Sequence, residues 1–352
     1  MYHSKYTKSS RGLAPSAAPS SDGARRAVRQ SVGAHLLHET FHVDMKEKAI
    51  YAATLAVVAS LVLGASLRGG KPESPPAAAP PPQSPGERDG LFDTPPCDSL
   101  SDEALLTRVQ EQTFRYFWDG AEPHSGMARE RYHVDGYYPQ NDKHVVTTGG
   151  SGFGLMAIVV GIERGFITRE EGVERFERIV GFLEEADRFH GVWPHWLDGE
   201  TGEVKPFSPK DDGGDLVETA FLVQGLLTVR QYLADGSERE RALAARIDTL
   251  WREVEWNWHT KGGENVLYWH WSPNHGWAMN HPIRGYDETM ITYVLAASSP
   301  THPISPEVYH EGWARGGAIR YEDHEQYGYR LSLRHNYAEP YGGPLFWAHY
   351  SY

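Results

Sequence analysis

The feature that most constrains the fold is an alternation of two kinds of helix-forming segment after Ser99. Segments that are apolar on most sides follow a glycine and open near Ser151, Asp215 and Tyr286, and charged amphipathic segments lie between them. A helix that is apolar on most sides is enclosed by its neighbours, whereas a helix with a charged face lies at the periphery. Alternating inner and outer helices are the plan of a toroid built from helical hairpins. The sequence therefore predicts an all-α fold of the α/α toroid type.

The number of hairpins predicts that this toroid is incomplete. A fourth apolar helix opens at "GGPLFWAHYSY", with Pro344 placed in its first turn. A closed toroid of this kind needs about six hairpins to bury a continuous core, and the chain supplies about three and a half. We therefore expect a domain that is truncated at its C-terminal side and exposes an apolar seam.

The segment before the helical region has the pattern of an export leader. Lys46 and Lys48 precede an uncharged apolar run, residues 49–67, which ends in small residues. A positive region followed by an apolar one is typical of a secretory signal, and this run is also long enough to span a membrane. Residues 45–68 are therefore predicted to be a signal peptide or a single membrane anchor. Either one places the rest of the chain in the periplasm or outside the cell, with residues 49–67 as a possible tether to the inner membrane.

The segments on either side of this leader have no pattern that would form a core. Residues 1–44 are polar, and we interpret them as a disordered extension. They are either a mis-called start, because Met45 stands where a signal peptide should begin, or a cytoplasmic tail. Residues 69–98 are rich in proline and are predicted to be an extended linker. The helical domain then covers residues 99–352.

Charge and composition exclude several classes of partner. The formal net charge is −13, which argues against nucleic acid, because phosphate neutralisation needs clustered Lys and Arg. The single cysteine, Cys97, rules out an intramolecular disulfide. The histidines near residue 275 lack the paired spacing of a metal site. We therefore expect neither a nucleic-acid partner nor a metal site, and we also expect the protein to be a monomer.

An acidic cluster in "DDGGDLVETA" opens one of the apolar helices. Asp215 and Glu218 are three residues apart and share a helical face, and Asp211 lies in the preceding loop. Two interpretations stay open: an acidic helix cap, or a catalytic centre. A second apolar helix opens in the same way with Asp287 and Glu288. If the inner helices begin at the same end of the toroid, these acids lie close together, and each raises the pKa of the other. One acid can then stay protonated while another is ionised, as glycoside hydrolysis requires.

Aromatic and polar side chains precede both acidic openings. Tryptophan stacks on the apolar faces of sugar rings, and Asn, His and Arg bond to sugar hydroxyls. The alternative is that these tryptophans pack loops onto the domain, which we expect for Trp251 and Trp256. The predicted substrate-binding residues are Trp193, His195, Trp196, Trp271, Asn274, His275, Trp277, Arg284, Tyr286 and Asp287.

Five stretches together resemble the glucoamylase-like family, which includes bacterial endo-β-1,2-glucanases and domains of cyclic β-1,2-glucan synthases. They are "TFRYFWDGAEPHSGMARER", "VTTGGSGFGLMAIVVGIERGFITREEG", "HGVWPHWLDGETG", "DDGGDLVETAFLVQGLL" and "GYDETMITYVLAASSPTHPI". The resemblance implies an (α/α)6 toroid, export, no cofactor, and hydrolysis of a glucan with inversion. It places the essential acids at Asp211, Asp215, Glu218 and Glu288, without assigning the general acid and the base. The family continues beyond Tyr352, so residues 99–352 would be the N-terminal part of the catalytic domain.

The sequence thus predicts an exported glycoside hydrolase that resembles an endo-β-1,2-glucanase and acts through carboxylate acid and base groups. Two alternatives of other classes remain. The chain could be a non-catalytic glycan-binding protein, or an inactive fragment, in which the acids only cap helices. A polysaccharide lyase on the same fold would act on uronic acids, and the acidic site disfavours such anionic substrates.

Overall fold

The computed structural model describes residues 99–133, 135–138, 140–336 and 343–351. The predicted extension 1–44, leader 45–68 and linker 69–98 lie outside these residues, as does the candidate membrane span 49–67. Among the described helices, none is both long enough and apolar enough to cross a membrane.

The described chain is mainly helical, as predicted. Its α-helices are α1 (Asp102–Trp118), α2 (Thr148–Glu163), α3 (Arg169–Glu185), α4 (Leu216–Leu233), α5 (Glu238–Arg252), α6 (Met290–Ser298) and α7 (Leu345–Tyr350). Short 3₁₀ helices cover Trp256–Thr260 and Arg315–Gly317, and a π-helix covers Val308–Trp313. The strands are short: β1 (Val145–Thr147), β2 (Trp196–Asp198), β3 (Val204–Lys205), β4 (Gly214–Asp215), β5 (His270–Trp271), β6 (Glu325–Gln326) and β7 (Tyr329–Arg330).

The charged helices begin at side-chain caps that the sequence encodes locally. At α3, the Thr168 hydroxyl accepts from the Glu171 amide while the Glu171 carboxylate accepts from the Thr168 amide. A threonine followed three residues later by a glutamate is the sequence signature of this capping box. Ser237 and Glu240 form the same reciprocal pair at α5. These caps satisfy amides that have no partner within the helix and so fix where each helix starts.

The apolar helices pack together at the centre of the described structure. Helix α2 lies against α4 along much of its length, and α4 also contacts α5 and α6. Helix α1 packs on α2, and the charged helices α3 and α5 pack on each other. Side chains between the layers are fully buried, among them Leu155, Phe176, Leu222, Leu226 and Ile247. Helices α2 and α4 are therefore enclosed, as their composition predicts.

The start of α6 differs from the prediction. The sequence places it near Tyr286, whereas the helix begins at Met290. The Asp287 carboxylate accepts hydrogen bonds from the amide and the hydroxyl of Thr289, which holds residues 287–289 in a turn. Such local bonds of an aspartate compete with helical backbone bonds. Glu288 therefore lies in this turn, ahead of the helix.

Two short sheets bring distant segments to the ends of the apolar helices. In the first, β1 pairs with β2, and Thr147 lies opposite Trp196. His195, which precedes Trp196, therefore lies beside the start of α2. In the second, β4 pairs with β5, with Asp215 opposite His270 and Gly214 opposite Trp271. Because β1 runs directly into α2 and β4 into α4, both sheets deliver aromatic loops to helix N-termini.

Candidate active site

Asp215 is the N-cap of α4 and is completely buried. Its Oδ1 accepts from the amides of Val217 at 3.0 Å and Glu218 at 2.9 Å. Its Oδ2 lies 2.7 Å from Nδ1 of His195. Asp215 therefore caps the helix and also pairs with a histidine, so the two interpretations of this acid do not exclude each other.

Glu218 does not complete a capping box with Asp215. Its Oε2 instead accepts from the amide of Gly149, at the start of α2, at 3.0 Å. Burial and the charge of Asp215 raise the pKa of Glu218 to about 7, with a smaller contribution from Glu288. His195 and the Gly149 amide oppose this rise. Glu218 thus holds a proton up to neutral pH.

His195 is surrounded by acids. Burial disfavours its charged form, but the hydrogen bond to Asp215 and the charges of Asp215, Glu218 and Asp211 outweigh burial and raise the pKa of His195 to about 9. The ring is therefore an imidazolium at neutral pH. It packs against Phe207, with ring centroids 4.2 Å apart, and against Trp196 at 5.7 Å.

Glu288 and Tyr350 lie within electrostatic reach of Glu218. Burial and the neighbouring charge of Asp287 raise the pKa of Glu288. The pKa of Tyr350 is raised by burial and by the charges of both glutamates. The Tyr350 ring packs against Phe153 of α2 at 4.8 Å and Phe221 of α4 at 5.4 Å. Acids at the openings of α4 and α6 thus lie within electrostatic reach of each other, and α7 contributes a tyrosine that both of them affect.

The two aspartates at the start of the acid cluster point in different directions. Asp211 is buried, and its Oδ1 lies 3.1 Å from Nε2 of His270, which is also buried. Asp212 is less buried and accepts hydrogen bonds from the Ser272 hydroxyl and from Nδ2 of Asn274. The sequence does not predict Asp212 as a site residue, although it is the second residue of the stretch "DDGGDLVETA".

Asn274 and His275 gather around Asp212 and not around Glu218. Both side chains are exposed, and Nε2 of His275 lies 3.9 Å from the Asp212 carboxylate. The pKa of Asp212 is lowered, because bonds to Ser272 and Asn274 and the charge of His275 outweigh its burial. Asp212 therefore stays ionised at neutral pH.

The tryptophans near the site divide into a half-buried group and a buried one. Trp271 and Trp277 are half-buried and pack around Trp258, at 5.9 Å and 6.3 Å between ring centroids. Trp196 is also half-buried. Trp193 corrects the prediction, because it is fully buried and its indole N–H donates to the carbonyl of Leu183. It is a core residue that no sugar can reach.

Three residues before α6 are placed differently from the predicted sugar contacts. Tyr286 is buried against Trp313 and His335, which leaves little of its ring exposed, and its binding role stays a prediction. Arg284 is exposed, and its guanidinium donates to the carbonyl of Glu311. Asp287 accepts from Thr289 and from Nδ2 of Asn336 and so holds the turn that carries Glu288.

Phe207 and Tyr350 are two further site residues that the sequence does not predict. Phe207 is 45% exposed and covers His195, and it lies in a loop that carries no aromatic pattern of its own. Tyr350 is 41% exposed and belongs to the last apolar helix, which the sequence predicts without assigning it a role. For Tyr350, the sequence offers only the short apolar stretch "LFWAHYS", which indicates a helix and not a role in the site.

The arrangement supplies two carboxyl groups that differ from ordinary surface acids. Glu218 keeps a proton near neutral pH, and Glu288 faces the same region from another helix opening. Across the described ranges, no group of three or more His, Cys, Asp or Glu could hold a metal ion. A protonated acid and a second carboxylate are the groups that general acid–base chemistry on a bound sugar uses.

Sequence and structure both match known proteins over the helical domain. Residues 280–352 match a family described as "Putative glucoamylase". An exo β-1,2-glucooligosaccharide sophorohydrolase (non-reducing end) from Parabacteroides distasonis is 51% identical over 269 residues, which are 72% of this chain and 36% of that protein. The solved endo-β-1,2-glucanase of Chitinophaga pinensis, in complex with sophorotriose and glucose, is 66% identical.

The structural match to the Chitinophaga enzyme has a TM-score of 0.70 and covers 72% of this chain and 60% of that chain. A β-1,2-glucanase of Parabacteroides distasonis gives a TM-score of 0.65 at 49% identity, over 72% of this chain and 37% of its own. The chain therefore spans between about one third and three fifths of the length of these relatives.

Proposed function

We propose that this chain belongs to the glucoamylase-like family and is a glycoside hydrolase that cleaves β-1,2-linked glucans. The observation that carries the proposal is the pair Glu218 and Glu288, which lie within electrostatic reach of each other at the openings of separate apolar helices. The relatives named as β-1,2-glucanases and as a sophorohydrolase support this substrate class.

Glu218 is the general acid in this proposal. Its pKa of about 7 lets it hold a proton at neutral pH and release it to the oxygen of the leaving sugar. Glu288 is the second carboxyl group and activates water from the other side of the sugar, so that hydrolysis inverts the anomeric centre. Stacking on Trp196 and Phe207 and bonds to His195 position the glucan beside the acid.

The architecture and location that accompany this function are also proposals. The alternation of enclosed α2, α4 and α6 with the charged α3 and α5 supports part of an (α/α)6 toroid. The leader pattern of residues 45–68 supports export to the periplasm or beyond, with residues 49–67 as a signal or a membrane tether. We further propose that the protein is a monomer and works without a cofactor.

A panel of glucans tests the function directly. The full chain is incubated with linear β-1,2-glucan and, in parallel, with β-1,3-, β-1,4- and α-1,4-glucans, and the products are separated by size. We expect products from the β-1,2-glucan alone. A ladder of oligosaccharides would show endo cleavage, and release of sophorose alone would show exo cleavage. Retention of the protein on a β-1,2-glucan affinity gel without any product would instead support the glycan-binding alternative.

The pKa of Glu218 predicts the alkaline limb of the pH profile. Because the general acid must be protonated, kcat/KM is expected to fall about tenfold per pH unit above pH 7. On the acidic side, activity falls as Glu288 takes up a proton, at a pH above the ordinary range of glutamate because its pKa is raised. Initial rates from pH 4 to 10 measure both limbs. An activity that stays constant from pH 7 to 9 would rule out Glu218 as the acid.

Gly149 is predicted to be required for catalysis, because the absence of a side chain there leaves room for the Glu218 carboxylate. A Cβ on Gly149 would lie 2.2 Å from Oε2 of Glu218, closer than any non-bonded contact allows. Gly149→Ala should therefore push the carboxylate away from the Gly149 amide and lower kcat by about 10²-fold, the loss expected from a misplacement of about 1 Å. Turnover is measured beside the melting temperature. Wild-type turnover in a folded Gly149→Ala protein would contradict the assigned position of Glu218.

A further inference from the structure

We propose that Asp215 is a positioning residue and neither the acid nor the base of the reaction, and that it acts by holding the His195 ring in place at the edge of the site. This inference rests on the proposed hydrolytic function and deepens it. It departs from the sequence-based expectation, in which Asp215 is one of the catalytic acids.

Both carboxylate oxygens of Asp215 are already in use. Oδ1 accepts from two backbone amides at 3.0 Å and 2.9 Å, and Oδ2 is bonded to the His195 ring at 2.7 Å. The side chain has no exposed surface. A general base must reach the water that it activates, either directly or through one further water. Both oxygens of Asp215 are already bonded, and the side chain has no access to solvent through which it could reach that water.

The backbone around Asp215 keeps it in this position. Its own amide donates to the carbonyl of Trp193 at 2.9 Å, and the amide of Leu216 donates to the carbonyl of Trp269 at 2.9 Å. Asp215 also pairs with His270 in the ladder of β4 and β5. The carboxylate is therefore fixed between two strands and a helix, which suits a group that orients another side chain.

The His195 side chain reaches the surface of the site, whereas the Asp215 side chain does not. A fifth of its side chain is exposed, whereas that of Asp215 is fully buried. Its backbone is fixed from the other side, because the amide of Thr148 donates to the His195 carbonyl at 3.2 Å. The imidazole is thus held at one nitrogen by Asp215 and lies at the edge of the site, where it can donate to a glucan oxygen.

Three acids act on the charge of His195, and they come from two neighbouring segments. Asp215 and Glu218 belong to the opening of α4, and Asp211 belongs to the loop before it. Glu218 in turn is faced by Asp215, by the His195 cation and by Glu288 from the turn before α6. The His195 cation lowers the pKa of Glu218 against the other charges and so makes its proton easier to transfer. Asp215 influences Glu218 through this cation as well as by its own charge.

Asp215→Asn separates the positioning role from the structural one. Asparagine caps helices about as well as aspartate, so α4 should keep its start and the protein its melting temperature. The negative charge that holds the proton on His195 is lost. We expect the pKa of His195 to fall from about 9 to about 6.5 or below, and kcat to fall about 10²-fold.

The experiment is a nuclear magnetic resonance titration of the full chain labelled with ¹³C and ¹⁵N histidine, beside the turnover assay. His195→Gln identifies the signal by its disappearance, and Asp212→Asn is the matched control, because Asp212 faces His275 and not His195. We expect the signal to titrate near pH 9 in the wild type and in Asp212→Asn, and near pH 6.5 or below in Asp215→Asn. In His195→Gln, the alkaline limb of hydrolysis should move to higher pH, because the cation that opposes protonation of Glu218 is gone.

The outcomes separate this inference from the proposed function. If the wild type hydrolyses glucan and His195 titrates near pH 6.5, or if its titration is the same in Asp215→Asn, the inference is overturned. It is also overturned if Asp215→Asn hydrolyses at the wild-type rate. If His195 titrates as expected but no protein releases sugar, the pairing is supported and the hydrolytic function fails.

Discussion

Replacing Glu218 by Gln is expected to lower kcat for β-1,2-glucan hydrolysis by about 10²- to 10⁴-fold, the contribution typical of a general acid. The Gln carbonyl oxygen can still accept from the Gly149 amide, as Oε2 of Glu218 does, so the local structure should persist. The amide has no proton that it can transfer to the leaving oxygen. Turnover is measured at pH 6, where wild-type Glu218 is mostly protonated.

Two further measurements make this result specific. Binding of a β-1,2-oligosaccharide, followed by calorimetry, should be retained in Glu218→Gln, because the stacking residues are untouched. Glu163→Gln is the matched control, since Glu163 is the last residue of α2, is exposed and accepts from the Tyr232 hydroxyl. It should hydrolyse at the wild-type rate. If Glu218→Gln keeps most of its turnover, Glu218 is not the acid and the catalytic assignment of this pair fails.

The parts of the structure that the sequence predicts are those set by short-range chemistry. The capping box at Thr168 and Glu171 depends on residues three apart, and the structure contains it. The burial of α2 and α4 follows from helices that are apolar on most sides. Trp251 and Trp256 are buried as predicted, because they lie on helical segments that pack against the core. The mainly helical fold follows from these local rules.

The parts that the sequence does not predict depend on contacts between distant segments. The hydrogen bond from the Gly149 amide to Glu218 joins residues 69 positions apart, and no local sequence pattern predicts it. Trp193 and Trp196 stand in one short motif, yet the first is fully buried and the second half-buried, because only the fold decides which ring faces the core. The start of α6 was misplaced because the turn made by Asp287 outcompetes helix formation there.

The contact between α2 and α4 leads to the largest expected effect on stability. The two helices touch through Gly152 and Gly225: a Cβ on Gly152 would lie 2.1 Å from the carbonyl oxygen of Phe221, and one on Gly225 would lie 2.2 Å from the carbonyl oxygen of Gly152. Both obstacles are backbone atoms, which cannot move without moving a helix. Gly152→Ala and Gly225→Ala should each cost about 2–3 kcal/mol of unfolding free energy, even though alanine gains up to about 1 kcal/mol in helix propensity.

Thermal unfolding of Gly152→Ala beside Gly181→Ala tests this contact. Gly181 lies inside α3, where a Cβ would meet only a guanidinium nitrogen of Arg246 at 3.6 Å. Gly181→Ala should therefore be neutral or stabilising, because it gains helix propensity without a clash. A loss of 2–3 kcal/mol in Gly152→Ala corresponds to a fall in Tm of roughly 4–12 °C. Gly149 and Glu218 lie one helical turn from the contact of Gly152 with α4. Turnover of Gly152→Ala should therefore fall even at temperatures where this variant is still folded. If Gly152→Ala melts at or above the wild-type temperature, the helices are not in backbone contact, and the close approach that brings Gly149 to Glu218 is wrong as well.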